Sequence, residues 1–392
     1  MKEIHVGLIG LGTVGCGLVK VLEDNGEMLK ERLGVPLRLK RVVDIDLESP
    51  RPVSLPRKIL STQVEDILAD EEIRIVVELI GGMEPAKTFL LEAMKRGKHV
   101  VTANKALLAV HGNELFAAAR EHQVNIAFEA AVGGGIPLIR TLREGLVANR
   151  IGHIYGILNG TANYILTRMA REATTFADAL KEAQAQGIAE ADPSLDVEGV
   201  DAAHKIAVLS SLAYCCEIDF NQVHIEGISQ IDPSDIQFAK DFGYQIKLLA
   251  ISRNDGERIE VRVHPTMIPQ EHMLAKVEGA YNAIHISGDA VGDVMLYGLG
   301  AGMMPTGSAV ASDLVDLGRD LLAGSGVRIP PLACGGEAVM ERQIKPMDEL
   351  VINYYFKFSA VDQPGVLSKI SGILGNHDIS IASVIQKGRQ VK

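Results

Sequence analysis

The first third of the chain alternates short, nearly continuous apolar runs with amphipathic stretches. Residues 4–9, 37–43, 75–79, 100–102 and 125–128 read as strands, and residues 89–96 and 113–122 carry helical spacing. Strands apolar on both faces, alternating with helices, predict a parallel, doubly wound α/β sheet of the Rossmann type. The texture changes near Ala131, where Gly133, Gly134 and Gly135 precede Pro137. From there to about residue 300, helices alternate with longer β segments such as 259–264 and 283–287, which predicts an α+β unit on a mixed or antiparallel sheet. Residues 309–323 (AVASDLVDLGRDLLA) predict a helix able to return to the first unit, and the Gly- and Pro-rich stretch 324–351 predicts a linker. Finally, a strand over 354–360, a helix over 367–375 and a strand over 379–386 predict a β-α-β tail, too small to bury a core of its own. The expected division is therefore 1–130, 131–308, 309–323, 324–351 and 352–392.

Composition narrows the class. A length of 392 residues with 47% hydrophobic residues allows two or three packed domains. Mean hydropathy is +0.15, and no apolar run reaches the length of a membrane span. The N-terminus enters a strand directly, without a signal-peptide pattern, which points to a cytoplasmic protein. A net charge of −11 without a basic stripe argues against nucleic-acid binding. The four cysteines (Cys16, Cys215, Cys216, Cys334) show neither CxxC pairs nor metal-ligand spacing. Reduced thiols are expected, with Cys215 and Cys216 in the core behind an apolar helix.

Several motifs carry chemistry. Gly10-Leu11-Gly12-Thr13-Val14-Gly15 fits GxGxxG between a strand and a helix. There the first glycine permits the turn, the second admits a pyrophosphate, and the third lets helix and strand pack closely. A carboxylate at the end of the second strand, Asp44 or Asp46, favours the ribose diol of NAD, while Arg41 and Arg51 nearby keep NADP open. Thr102, Asn104 and Lys105 project at the carboxyl edge of the sheet, where ligands of such sheets bind. Glu129 and the carbonyls of Val132, Gly134 and Ile136 could cage a hard cation, although spacing alone favours a glycine hinge. In GILNGTANYIL, the turn holding Asn159, Gly160, Thr161 and Asn163 is either an ordinary helix cap or a seat for a carboxylate. An acidic loop with Glu190, Asp192, Asp196 and Glu198 then feeds a helix in which Asp201 and Lys205 share one face.

Six segments, GLGTVG, TANKALLA, EAAVGGGIPLI, GILNGTANYIL, EADPSLDVEGVDAAHK and GLGAGMMPTGSAVASDL, occur in an order and spacing that resembles homoserine dehydrogenase over residues 4–323. The tail, FSAVDQPGVLSKISGILGNHDISIASVIQ, resembles the first half of an ACT domain. The resemblance implies NAD- or NADP-dependent interconversion of L-homoserine and L-aspartate 4-semialdehyde, in threonine, methionine and isoleucine biosynthesis. It implies Lys205 as general acid/base with Asp201 as its partner, and Lys105 between nicotinamide and substrate. Glu190 would bind the substrate amine, Gly302 would belong to the segment closing over the cofactor, and Glu129, Val132, Gly134 and Ile136 would hold a monovalent cation, Na or K. A homodimer through the second domain is implied too, with threonine as an effector if the ACT module is complete.

The chemistry agrees with these roles. Hydride addition to an aldehyde leaves negative charge on oxygen, and a lysine offers both a cation and a proton there. Glu190 with Asp196 would hold the substrate ammonium, and the Gly160–Thr161 turn its carboxylate. An aspartate semialdehyde dehydrogenase on the same architecture would need a cysteine nucleophile with a histidine base, which Cys215 and Cys216 do not suggest. A non-catalytic dinucleotide or amino-acid sensor would have no use for Lys105 and Lys205.

Overall fold

The computed structural model describes residues 2–335, 339–361 and 363–386. A six-stranded parallel sheet comes first, built from β1 (Ile4–Ile9), β2 (Leu37–Val43), β3 (Leu60–Ser61), β4 (Ile73–Glu78), β5 (His99–Thr102) and β6 (Ile126–Ala127). Its order is β3-β2-β1-β4-β5-β6, so the direction of winding reverses at β1. β1, β4 and β5 are almost entirely buried, as strands covered on both faces must be.

After β7 (Ile151–Ile157) come a short β8 (Cys216–Glu217), β9 (His224–Ile225), β10 (Tyr244–Asn254), β11 (Ile259–Pro269), β12 (Tyr281–Gly288) and β13 (Gly292–Leu299). The second sheet runs β13-β12-β7-β10-β11-β9, antiparallel except between β9 and β11. The helix Val200–Tyr214 packs on β10 and β11 with one face, and on the helix Lys105–Glu121 of the first unit with another. Twelve of its fifteen residues are buried, including Asp201, His204 and Lys205.

The expected helix over 309–323 is longer, Met303–Ala323, and does return to the first sheet. It lies along the helix Thr13–Asp24, sharing a core of Leu8, Leu18, Val310 and Leu314. The crossing is glycine on glycine. A Cβ on Gly17 would collide with the Met303 carbonyl, and one on Gly307 with the backbone of Gly17.

Three expectations need correction. The described residues of 324–351 form no free linker but a strap laid on the second unit. β14 (Met340–Glu341) pairs with β8, Ile344 and Leu332 are buried, and the Ile259 main chain bonds Gln343 and Lys345. Cys215 and Cys334 are not separate thiols: they form a disulfide with a Cα–Cα distance of 6.1 Å, while Cys16 and Cys216 are free and buried. In the tail only the helix, Val366–Asn376, forms as expected. Residues 354–361 and 379–386 carry no ladder pairing, since among the described residues neither has a neighbouring strand to take its N–H and C=O groups. Part of the tail is nonetheless anchored, since Lys357 reaches Asp232 and Asp235. Among the described residues no helix is long and apolar enough to cross a membrane.

Candidate functional site

The glycine turn shows the three expected geometries. Gly10 sits at φ +101° against the Leu79 carbonyl, a Cβ on Gly15 would strike the Gly10 carbonyl, and Gly12 faces open space. At the end of β2, Asp44 rather than Asp46 reaches this turn, accepting from Leu11 N at 2.5 Å and pairing with Arg51 at 3.3 Å. Asp46 caps the following bend through Glu48 N and Ser49 N, and Arg41 donates to the Lys58 carbonyl. Thr13 and Val14 open the helix Thr13–Asp24.

At the carboxyl edge of the same sheet, Thr102 Oγ1 donates to Glu78 Oε2 at 2.6 Å. The other Glu78 oxygen accepts from Ile80 N and Gly81 N. Asn104 caps the helix Lys105–Glu121 by accepting from Leu107 N and ties it to Gly82 O. Lys105 is thereby aimed across the gap between the two units.

There it meets Asp201. Lys105 Nζ lies 3.2 Å from Asp201 Oδ1, and Lys205 Nζ 2.6 Å from Oδ2. Lys205 also donates to the Leu158 carbonyl at 2.7 Å. Asn159, which caps the helix Gly160–Glu172 through Ala162 N, donates to Asp201 at 2.8 Å and to Asp196 at 2.7 Å. Burial disfavours the Asp201 carboxylate, but the ammonium groups of Lys205 and Lys105 and the Asn159 amide outweigh it and hold its pKa well below the usual carboxylate range. One buried carboxylate thus bridges two lysines, Lys105 half-buried and Lys205 buried.

Thr161 donates to the Ile188 carbonyl at 3.1 Å, fixing the loop that leads to Glu190, and Gly160 is pressed against the Ala280 carbonyl. Asp196 is drawn into the cluster, whereas Glu190 is exposed on its loop and joins Gln184 through its main-chain carbonyl. Asn163 turns elsewhere, donating to the carbonyl of Gly279 and accepting from the buried Lys247.

In the glycine-rich loop, Glu129 is 5% exposed and its two oxygens accept from Ile139 N and Arg140 N, each at 2.9 Å. Gly133 and Gly134 are both left-handed, at φ +77° and +57°, and the Ile136 carbonyl already accepts from Leu138 N. Burial pushes the Glu129 pKa up against those two hydrogen bonds, a charge cost that a bound cation would offset. The donor set is all oxygen, which suits a hard cation. Gly302, at φ +124°, begins the helix Met303–Ala323 beside Gly17 and so stands next to the nucleotide turn's helix.

Sequence reasoning missed Glu78, Asn282 and the Leu158 carbonyl. Glu78 lies in the ELIGG run, where a carboxylate at a buried strand end was the available signal. A backbone carbonyl leaves no signal in residue types.

Comparison with known proteins identifies the family. Residues 10–129 match the family described as homoserine dehydrogenase, NAD binding domain, residues 137–315 the homoserine dehydrogenase family, and residues 354–392 the ACT domain. The homoserine dehydrogenase of Neisseria gonorrhoeae is 47% identical over 99% of this chain and 89% of its own length, and that of Bacillus subtilis 43% identical over 98% and 88%. The crystal structure of a homoserine dehydrogenase from Thiobacillus denitrificans superposes with a TM-score of 0.89 at 46% identity, covering 99% of this chain and 89% of that one. A hyperthermophilic archaeal homoserine dehydrogenase in complex with NADPH superposes with a TM-score of 0.67 at 26% identity, covering 80% and 97%. With such identity across nearly its whole length, and both family domains in sequence, the chain belongs to the homoserine dehydrogenase family, NAD(P)-dependent oxidoreductases.

Proposed function

We propose that this chain interconverts L-homoserine and L-aspartate 4-semialdehyde through the site at Asp201, Lys205 and Lys105. The observation that carries this reading is the Asp201 carboxylate bridging two lysines, one from each unit, beside the edge of the dinucleotide sheet. When bound, the nicotinamide cofactor supplies the hydride for aldehyde reduction or accepts it in homoserine oxidation. Lys205 Nζ gives its proton to the oxygen on which negative charge develops, and takes it back in the other direction. Asp201, with its pKa held low, stays ionised and orients both ammonium groups without relaying a proton. Lys105 adds positive charge at the same oxygen.

In this reading Glu190 and Asp196 hold the substrate ammonium, and the N–H groups at Gly160 and Thr161 its carboxylate. Gly10, Gly12, Thr13, Val14 and Gly15 receive the pyrophosphate, Asp44 the adenosine ribose, and Thr102 and Gly302 border the nicotinamide end. Glu129 with the carbonyls of Val132, Gly134 and Ile136 holds a monovalent cation. The two catalytic units correspond to residues 1–130, closed by the helix at 309–323, and residues 131–308. A cytoplasmic homodimer through the second sheet completes the proposal. It is supported by the edge strand β13, where Tyr297 and Leu299 are exposed and Tyr281 stacks on Tyr297 at 5.0 Å. Following absorbance at 340 nm with homoserine and either NAD or NADP tests the reaction; no change with either cofactor would defeat it.

A further inference from the structure

Asn282, at the start of β12, is 1% exposed and lies outside every motif that suggested the function. Its Nδ2 donates to the Leu158 carbonyl at 3.0 Å, and the same carbonyl accepts from Lys205 Nζ at 2.7 Å. Only an N–H can face a carbonyl, so the amide's orientation is set by that bond and its Oδ1 must point the other way. Oδ1 is buried and has no hydrogen-bond partner. A buried amide oxygen left unpaired costs stability, so its retention calls for a reason.

The face of the same amide meets a second segment. Gly300 lies so close that any side chain there would overlap the Asn282 amide, and Gly134 is packed on the Gly300–Ala301 backbone in turn. Gly300 belongs to the short segment joining β13 to the helix Met303–Ala323, whose first turn touches Gly17 in the dinucleotide unit. Asn282 therefore contacts both the carbonyl that holds Lys205 and the segment that leads to the helix packed against Thr13–Asp24. Of the three Lys205 N–H groups, two are held by Leu158 O and Asp201 Oδ2, which leaves one for a reacting oxygen. Its direction depends on where the Leu158 carbonyl stands.

We propose that Asn282 is a positioning residue for proton transfer, fixing Lys205 through the Leu158 carbonyl and linking that alignment to the seating of the Gly300 segment. The inference rests on the homoserine reading above. A merely structural asparagine would affect folding and all ligands alike. A positioning one affects the proton-transfer step.

The test uses the full chain, with Asn282→Ala and, as a second variant that keeps the amide but crowds it, Gly300→Ala. For each, kcat and KM for homoserine, the solvent deuterium isotope effect on kcat, and the Kd for reduced cofactor by its fluorescence are measured. Asn282→Ala is expected to lower kcat by ~10- to 100-fold and to raise the solvent isotope effect, with cofactor Kd within ~3-fold of wild type. Gly300→Ala should change the same two quantities in the same direction. An unchanged kcat and isotope effect in both variants overturns the proposal. So does a loss of kcat matched by an equal loss of cofactor affinity, or failure of both variants to fold. If the wild-type chain does not oxidise homoserine, the functional reading fails first and the inference with it. An active wild type with an unaffected Asn282→Ala sinks the inference alone.

Discussion

Asp201 and Lys205 lie four residues apart on one helix, with their charged atoms 2.6 Å from each other and neither side chain more than 10% exposed. A buried pair of this kind tolerates the loss of one partner poorly, because the survivor keeps its charge without compensation. Lys205→Ala should therefore lower kcat by ~10²- to 10⁴-fold, as removal of a general acid/base does. Lys105→Ala, at a half-exposed position on the other Asp201 oxygen, should cost less, about 10-fold. Steady-state kinetics on both variants decide the matter, and a Lys105→Ala loss larger than that of Lys205→Ala would reverse the two roles.

Glu190 stands on an exposed loop whose approach is fixed by Thr161. Glu190→Gln should raise KM for homoserine by roughly 10-fold while leaving kcat nearly unchanged, the pattern of lost uniform binding. A fall in kcat at constant KM would assign Glu190 to the chemical step instead.

Asp44 is shared between the glycine turn and Arg51. Asp44→Ala removes the acceptor for Leu11 N and releases Arg51 towards the ribose. We expect kcat/KM for NAD to fall by about 10-fold and that for NADP to fall less. Equal losses with the two cofactors would show that Asp44 serves the turn rather than the ribose.

Asp313 lies beside Glu129, accepting from its N–H at 2.9 Å. Burial, with the Glu129 carboxylate adding to it, pushes the Asp313 carboxyl up to about 8. The folded state then keeps a proton that the unfolded chain gives up near pH 4, so stability falls as pH rises from roughly 4 to 8. Asp313→Asn keeps an acceptor for Glu129 N and should flatten that decline, by on the order of 1–2 kcal/mol at pH 8. Calorimetric Tm values across this range provide the check; identical pH slopes would clear Asp313 of the effect.

What could be read in advance was what repeats locally. β1 and β2 fall where their apolar runs begin and end, and the Asp201–Lys205 pair follows from helical spacing alone. The contact of Lys105 with Asp201 could not be read this way, because it depends on two helices from different units packing together. Nor could Asn282, whose role depends on a backbone carbonyl 124 residues away. The Gly and Pro content of 324–351 suggested a linker and gave no sign of the surface its described residues lie on, where β8 offers an edge and Cys215 a partner for Cys334. The tail strands illustrate the converse: local propensity is present, and among the described residues no neighbouring strand pairs with it.

The Gly17–Gly307 crossing has a consequence for biosynthesis. The face of β1 and the helix Thr13–Asp24 is covered by Val310 and Leu314, which are made nearly three hundred residues later. A chain emerging from the ribosome can complete the dinucleotide fold only after the whole second sheet has been synthesised, so the first unit translated is among the last to close. Fragments ending near residue 130 should accordingly expose Leu8 and Leu18 and associate through them.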